Sequence, residues 1–283
     1  MPAPLVSTDW LASHLHEPWL KVVDASMYLP NAGRDARAEY LSGHIPGAVF
    51  ADINWLSDEN AAYPHTMPAA DTFASRMGSL GLGSAHSIVV YDASGQNFSA
   101  PRLWWMLRVC GHHSVAVLDG GMKKWAAEDR AVDTAVPESV PAAFEAHVDH
   151  NRMRDIAFMR DNLSAGAAQV VDARSPGRFE ATEPEPRAGV RGGHMPGSVN
   201  VHYASLVRGD GTLRDAAELS AIVNAAGLDM SRPIVASCGT GVTGCAVLLA
   251  LDVIGTSNTA LFDGSWTEWG SATDTPVETG PAR

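Results

Sequence analysis

Short apolar segments rich in valine and isoleucine alternate along this chain with longer amphipathic segments. Residues 21–25, 87–92 and 169–173 are of the first kind, and residues 73–80 and 217–226 are of the second. Short apolar runs are typical of strands buried on both faces, and the longer segments can form the helices that connect parallel strands. The pattern therefore predicts the α/β class, with a parallel sheet covered by helices.

The whole pattern occurs twice. Four landmarks recur in the same order, at offsets of 148, 150, 146 and 144 residues. The pairs are 21–25 with 169–173, 43–49 with 193–199, 87–92 with 233–238, and 118–125 with 262–269. Such regular self-similarity predicts two copies of one fold, which we place at residues 1–135 and 152–283. Residues 136–151 contain Pro137 and Pro141 without clear periodicity and are predicted to be the linker.

Composition and charge narrow the classes of function. With 283 residues and 46% hydrophobic composition, the chain is long enough for two hydrophobic cores. The formal net charge of −12 argues against nucleic acid or an anionic membrane as a partner. The first twenty residues lack the basic start and continuous apolar core of a signal peptide, and no apolar run approaches a membrane span. We therefore expect a cytoplasmic protein.

The three cysteines, Cys110, Cys238 and Cys245, are sparse and do not match the spacing of a zinc site. We expect no metal, no cofactor and no structural disulfide, as in a reducing compartment. Cys110 lies at a predicted helix end. Cys245 follows Cys238 by seven residues, two turns along a predicted helix, so both are expected to pack in the interior.

Cys238 lies in a different setting, in the loop 237–243 between two apolar runs, where a strand is expected to turn into a helix. Gly239 and Gly241 are free to adopt positive φ, so that five or six backbone N–H groups can surround one anion. The helix N-terminus adds partial positive charge. We expect this loop to lower the pKa of the Cys238 thiol and to make it a nucleophile, whereas a core cysteine needs no glycines at these positions.

Comparison of the two copies separates residues of the fold from residues of the chemistry. His44 and His194 occur in both copies, each in a Gly-His-x-Pro-Gly turn, and are predicted to stabilise those turns by hydrogen bonds. Cys238, however, aligns with Asp92 in the first copy, where no nucleophile is present. The comparison predicts one active site per chain, at the interface of the two halves.

Two arginines of the second copy are candidates for binding an anionic substrate. The second copy is about six residues longer between Arg178 and His194 than the first copy is between Arg34 and His44, and the insertion contains Arg187. Arg178 and Arg187 together can form a clamp for a carboxylate. Alternatively, Arg187 pairs with Glu183 or Glu185 in a surface loop, and the residues alone leave both interpretations open.

The loop Ser-Cys-Gly-Thr-Gly-Val-Thr at 237–243 resembles the active-site loop of the 3-mercaptopyruvate sulfurtransferases, the two-domain branch of the rhodanese superfamily. The resemblance extends over nearly the whole chain. It implies two tandem rhodanese-like domains, the first non-catalytic. It also implies that sulfur passes from 3-mercaptopyruvate through a Cys238 persulfide to a thiol or cyanide, with release of pyruvate.

The resemblance also assigns roles to individual residues. It implies that Arg178 and Arg187 bind the substrate carboxylate, that the Thr240 hydroxyl takes part in proton transfer, and that His65 faces the cysteine. The remaining residues of the loop are implied to bind the substrate through their N–H groups: Gly239, Gly241, Val242 and Thr243. An acidic residue is common in the family at the position of Asn54, so a three-membered acid–base relay is not expected here, and Asp52 is expected to begin a strand or turn. A thioredoxin-like dithiol is one candidate for the acceptor.

Three other functions remain as alternatives. A thiosulfate sulfurtransferase would share the fold and the persulfide, but its dianionic donor favours cationic side chains where this chain has Gly239 and Thr240. A cysteine phosphatase of this fold requires arginine six positions after the cysteine, where this chain has Gly244. A non-enzymatic binding module fits the first copy, which lacks the cysteine, better than the second.

Overall fold

The computed structural model describes residues 3–29 and 32–282. The described chain forms two compact units. The first unit takes in the described residues up to Asn60, together with Met67–Asp149 and Val207–Leu213. The second unit consists of Ala61–Thr66, His150–Leu206 and the described residues from Arg214 onward. The domain boundaries at 135 and 151 stay a prediction. Residues 1, 2 and 283, at the outer ends of the two predicted domains, lie outside the described residues.

A five-stranded parallel sheet forms the centre of the first unit, in the order β1-β5-β4-β2-β3. Its strands are β1 (Leu5–Val6), β2 (Leu20–Asp24), β3 (Val49–Phe50), β4 (Ser87–Tyr91) and β5 (Val115–Leu118). Its helices are α1 (Thr8–His14), α2 (Ala36–Ser42), α3 (Ile53–Leu56), α4 (Ala70–Ser79), α5 (Ala100–Val109) and α6 (Gly121–Ala127). Asp52 was expected to begin a strand or turn, but it accepts a hydrogen bond from the N–H of Asn54 and is the N-cap of helix α3.

The second unit repeats this topology, with a parallel sheet in the order β6-β10-β9-β7-β8. Its strands are β6 (Met153–Arg154), β7 (Gln169–Asp172), β8 (Val199–Asn200), β9 (Ile234–Ser237) and β10 (Thr259–Phe262). Its helices are α7 (Ile156–Ala165), α8 (Pro176–Glu180), α9 (Ala216–Ala225), α10 (Gly244–Val253) and α11 (Ser265–Ser271), with short 3₁₀ turns at His150–Arg152 and Tyr203–Leu206. The predicted α/β fold, present twice, is confirmed.

Burial explains why the strands read as continuous apolar runs. The central strand of each sheet, β4 or β9, is buried along nearly its whole length because helices cover both faces. Helix α10 is also apolar on all sides, and eight of its residues are buried. The carboxyl ends of β7, β9 and β10 meet at one edge of the second sheet, so the loops that follow them lie together.

The paired histidines serve the fold, as predicted. The Nδ1 atom of His44 lies 2.8 Å from the carbonyl oxygen of Tyr40, and that of His194 lies 2.9 Å from the carbonyl oxygen of Phe179. Because a carbonyl oxygen only accepts, each Nδ1 must carry the proton. Both rings also stack on the aromatic ring of the residue they bind.

Among the described residues, no helix combines the length and the apolar character needed to cross a membrane.

Candidate active site

The backbone of Cys238 is held by the start of helix α11. Its N–H donates to the hydroxyl oxygen of Ser265 at 3.1 Å, and its carbonyl oxygen accepts from the N–H of Trp266 at 2.9 Å. Cys238 is only 1% exposed. The sequence analysis expected five or six N–H groups directed at one anion, but the N–H of Cys238 is bound to Ser265 and does not belong to that set.

Several N–H groups that follow Cys238 are available to bind an anion. No described residue accepts a hydrogen bond from the N–H of Gly239, Thr240, Val242 or Thr243. Helix α10 begins immediately afterwards, at Gly244. Unpaired N–H groups at a helix N-terminus are an environment that favours a thiolate or another anion. The loop therefore offers the environment on which the predicted role of Cys238 depends, and that role stays a prediction.

The two loop glycines are needed for different reasons. Gly241 has φ of +77°, a conformation that glycine adopts without strain. The expectation of positive φ is wrong for Gly239, which lies outside the left-handed region. A Cβ atom at Gly239 would instead lie 3.1 Å from Nη2 of Arg178, so the absence of a side chain lets the guanidinium group approach the backbone beside Cys238.

His65 reaches the same loop. Its segment, Ala61–Thr66, belongs to the second unit, and its Nδ1 atom lies 2.8 Å from Oγ1 of Thr240. His65 has φ of +65°, which is uncommon for a residue other than glycine. Such a conformation persists where the surroundings fix it, as functional sites often do. The structure thus brings together His65 and Thr240, two residues that are far apart in the sequence.

Arg178 is held by an ion pair. Its Nε and Nη2 atoms donate to the Glu185 carboxylate at 3.2 and 2.6 Å. Glu185, only 4% exposed, also accepts from Nη1 of Arg174 at 2.7 Å. Arg174 is fully buried, pairs with Asp172 through Nε and Nη2, and lies over the ring of Trp266 at 4.4 Å. Arg178 is therefore positioned against the loop by a buried network.

Arg187 is arranged differently. No described acidic residue forms an ion pair with it, since Glu185 pairs with Arg174 and Arg178, and Glu183 accepts from the hydroxyl of Ser175. Burial and, after it, the charge of Arg178 lower the pKa of Arg187, while Glu185 and Cys238 oppose this. The guanidinium group of Arg187 nevertheless remains charged at neutral pH. Of the two interpretations left open by the sequence, the structure disfavours the surface ion pair.

The sequence analysis missed Arg174 and Ser265, and it considered Glu185 only as a partner of Arg187. The internal repeat contained a signal for two of them, because Arg174 stands where the first copy has Ser26, and Ser265 stands where it has Gly121. Position 174 is charged in one copy alone, and position 265 carries a side chain in one copy alone, so each is a candidate for chemistry. Glu185 had no such signal, since it lies in the insertion that the first copy lacks.

The other two cysteines are structural. Cys245 is buried and donates from Sγ to the carbonyl oxygen of Gly241 at 3.2 Å. Because helix α10 begins at Gly244, the expectation that Cys245 lies two turns along the helix is wrong, although its packing role holds. Cys110 ends helix α5, and burial raises its pKa to about 12.

Among the described residues, no three His, Cys, Asp or Glu side chains are grouped closely enough to hold a metal.

Comparison with known proteins agrees with this geometry. A family model described as Rhodanese-like domain matches residues 7–128 and 156–272. The chain is 44% identical over 270 residues to the 3-mercaptopyruvate sulfurtransferase of Mus musculus, covering 94% of this chain and 91% of the relative. It is also 40% identical over 271 residues to the thiosulfate sulfurtransferase of Bos taurus, covering 94% and 91%.

A solved structure has the same architecture. The crystal structure of the 3-mercaptopyruvate sulfotransferase SseA from Escherichia coli superposes with a TM-score of 0.86 at 39% sequence identity. The superposition covers 93% of this chain and 99% of that chain. At this identity and coverage, the likeness extends to both repeats.

Proposed function

Because this chain belongs to the rhodanese family, with one rhodanese-like domain in each half, we propose that it is a 3-mercaptopyruvate sulfurtransferase whose nucleophile is Cys238. The observation that carries the proposal is the run of N–H groups after Cys238 that no described residue binds, with the guanidinium group of Arg178 beside Gly239. The family resemblance seen in the sequence is thereby confirmed. The assignment of individual residues is our proposal.

The first half-reaction is a displacement at sulfur. The Cys238 thiolate attacks the thiol sulfur of 3-mercaptopyruvate, a sulfur–sulfur bond forms, and the carbon–sulfur bond breaks. The electron pair of the broken bond passes to carbon, so that the enolate of pyruvate leaves. The proton of the new persulfide then passes to the enolate carbon, which gives pyruvate and an anionic persulfide on Cys238. Every bond is accounted for without a cofactor.

Each part of the site has a role in this scheme. Arg187 and the unpaired face of Arg178 bind the carboxylate and hold the thiol sulfur in line with Cys238. The N–H groups of Gly239, Thr240, Gly241, Val242 and Thr243 are proposed to stabilise first the thiolate and then the persulfide. Thr240, hydrogen-bonded to His65, is placed to move the proton.

The second half-reaction returns the enzyme to its starting state. A thiolate or cyanide attacks the outer sulfur of the persulfide, and Cys238 leaves as thiolate. Sulfur transfer implies a small anionic donor and a thiol acceptor. A thioredoxin-like dithiol is our proposed physiological acceptor, because the two thiols of such a protein can release the transferred sulfur while forming a disulfide.

Intact-protein mass spectrometry tests the proposal directly. After incubation with 3-mercaptopyruvate and removal of excess substrate, wild-type protein should gain the mass of one sulfur atom, and pyruvate should appear in equal amount. Treatment with cyanide should remove the added mass and release thiocyanate. The Cys238→Ser variant should gain nothing. Wild-type protein that stays unmodified while pyruvate fails to form would rule out this function.

Thiosulfate is the second candidate donor, favoured by the 40% identity to a thiosulfate sulfurtransferase. We place it second because the loop carries no cationic side chain at Gly239 or Thr240. A larger kcat/KM for thiosulfate than for 3-mercaptopyruvate would reverse this order. Phosphatase activity has less support, since the chain has Gly244 where that chemistry requires arginine, and a Cβ atom there would lie 2.9 Å from a methyl group of Leu261.

A cytoplasmic location remains part of the proposal. Its support is the sparse set of three cysteines, which is typical of a reducing compartment. One relative, the Arabidopsis thaliana thiosulfate/3-mercaptopyruvate sulfurtransferase 1, is mitochondrial by name, so location varies among relatives. Cell fractionation with an antibody to the protein would decide between a cytoplasmic and an organellar location.

A further inference from the structure

We infer that Glu185 determines donor preference by neutralising Arg178, so that the substrate meets one uncompensated positive charge. The inference rests on the proposed function, because it concerns which sulfur donor Cys238 accepts. It assigns a role to a residue that touches neither the donor nor the nucleophile. Glu185 is a positioning residue that acts through Arg178.

The contacts of Glu185 are those of a fixed counter-ion. One carboxylate oxygen accepts from Nη1 of Arg174 at 2.7 Å and from Nε of Arg178 at 3.2 Å, and the other accepts from Nη2 of Arg178 at 2.6 Å. A carboxylate this deeply buried keeps its charge only when cations compensate it. Here two guanidinium groups do so, and the ion pair is shielded from solvent and salt.

The network continues to a rigid part of the unit. Arg174 is fully buried, pairs with Asp172, donates from Nη2 to the carbonyl oxygen of Gly193 at 2.7 Å, and lies over Trp266. Trp266 in turn donates from its backbone N–H to the carbonyl oxygen of Cys238. Glu185 therefore holds Arg178 in a fixed relation to the nucleophile, through groups that cannot rearrange easily.

The charges of this network cancel. Asp172 and Glu185 contribute two negative charges, and Arg174 and Arg178 contribute two positive charges. Arg187 adds one guanidinium group that is without an ion-pair partner among the described residues. Apart from the nucleophile, the group thus presents a single excess positive charge to the donor. A monoanionic carboxylate such as that of 3-mercaptopyruvate matches this charge, whereas the thiosulfate dianion leaves one negative charge uncompensated.

The decisive variant is Glu185→Gln, which keeps the size of the side chain and removes its charge. It leaves Arg178 uncompensated, so the site gains one positive charge. We expect the ratio of kcat/KM for thiosulfate to kcat/KM for 3-mercaptopyruvate to rise roughly tenfold, which corresponds to one added charge several ångströms from the donor. We also expect kcat with 3-mercaptopyruvate to fall, because Arg178 loses its fixed orientation.

Glu183→Gln is the matched control. It makes the same chemical change two residues away, in an exposed side chain of the same loop, and should leave both the ratio and kcat within twofold of wild type. A merely structural role for Glu185 would lower the activity with both donors equally. An unchanged donor ratio in a folded Glu185→Gln protein would therefore overturn the inference.

A second variant covers the case in which Glu185→Gln does not fold. Glu185→Asp keeps the negative charge but shortens the reach to the two arginines. It should lower kcat with both donors and leave their ratio within twofold of wild type, and a severalfold rise of the ratio would show that charge does not set the preference. Persulfide formation by the wild type is measured first. If it fails, the proposed function is wrong, whereas a working wild type with an unchanged ratio in Glu185→Gln refutes this inference alone.

Discussion

The loops that follow the central strands, β4 and β9, differ more in charge than in fold. In the second unit Cys238 precedes N–H groups that no described residue binds. In the first unit the equivalent Asp92 places its own carboxylate in that position. One carboxylate oxygen accepts from the N–H of Ser94, and the other accepts from the N–H groups of Ser99 and Ala100 at 2.9 Å. One copy of the loop binds its own anion, and the other is left able to bind a foreign one.

The arginines beside the two loops also differ, in whether they bind the loop backbone. Arg34 of the first unit, the counterpart of Arg178, pairs with Glu39 and donates from Nη2 to the carbonyl oxygen of Ala93 at 3.1 Å. Arg178 instead lies beside Gly239 without binding the loop backbone. The comparison teaches that, in a duplicated fold, few substitutions distinguish a loop that binds its own carboxylate from the loop that we propose to be reactive.

The largest expected effect is at Cys238 itself. Cys238→Ser replaces the thiolate by a hydroxyl group that is not ionised at neutral pH, so sulfur transfer should fall by at least about 1,000-fold. Steady-state assays with 3-mercaptopyruvate and cyanide measure this loss. The variant should unfold at the same urea concentration as wild type, and substantial residual turnover in it would indicate a different nucleophile.

The same comparison predicts that substitution of Asp92 lowers stability and leaves sulfur transfer unchanged. Asp92→Ala leaves several buried N–H groups without an acceptor, which should destabilise the first unit by about 3 kcal/mol. Because Asp92 has no counterpart role in sulfur transfer, kcat/KM should stay within twofold of wild type at temperatures where the protein is folded. Urea unfolding and steady-state kinetics on the same sample measure both quantities. A loss of activity comparable to that of Cys238→Ser would contradict the division of roles between the two loops.

Removal of the unpaired guanidinium group should have an intermediate effect. Arg187→Gln takes away the excess positive charge, and kcat/KM for 3-mercaptopyruvate should fall by roughly thirtyfold, or about 2 kcal/mol. Arg34→Gln in the first unit is the matched control and should not alter KM. Equal effects of the two substitutions would show that the loss arises from general destabilisation.

The smallest expected effect is at Ser265, which has φ of +52°, close to the +53° of its counterpart Gly121. Ser265→Gly removes the hydroxyl that accepts from Cys238, but it also relieves the left-handed strain of a residue with a Cβ atom. The lost hydrogen bond and the relieved strain are each worth about 1 kcal/mol, so the free energy of unfolding should stay nearly unchanged. Sulfur transfer should fall about fivefold.

Ser265→Ala separates the two terms, because alanine loses the hydrogen bond and keeps the strain. It should unfold with about 1 kcal/mol less stability than Ser265→Gly. The reverse change, Gly121→Ser, should destabilise the first unit, since a Cβ atom at Gly121 would lie 2.5 Å from the carbonyl oxygen of Asp92. If Ser265→Gly were as active as wild type, the contact with Cys238 would have no part in placing the nucleophile.

The sequence by itself determined the fold class and the duplication, and it singled out the proposed nucleophile. These follow from local patterns, because strand and helix periodicity, turn glycines and a cysteine at the end of a strand are all read within a few residues of one another. The repeat added an internal comparison, which separated His44 and His194 from Cys238 without any other protein.

The tertiary structure alone decided which charged groups pair. Arg178, Glu185 and Arg187 lie within ten residues, yet the sequence could not show that Glu185 pairs with Arg178 and Arg174, or that Arg187 has no ion-pair partner among the residues that the structure describes. Likewise the contacts of His65 with Thr240 and of Ser265 with Cys238 join distant parts of the chain. The physical reason is that an ion pair or hydrogen bond requires its two atoms to be placed to within a few tenths of an ångström. Such placement is fixed only when the whole unit has packed.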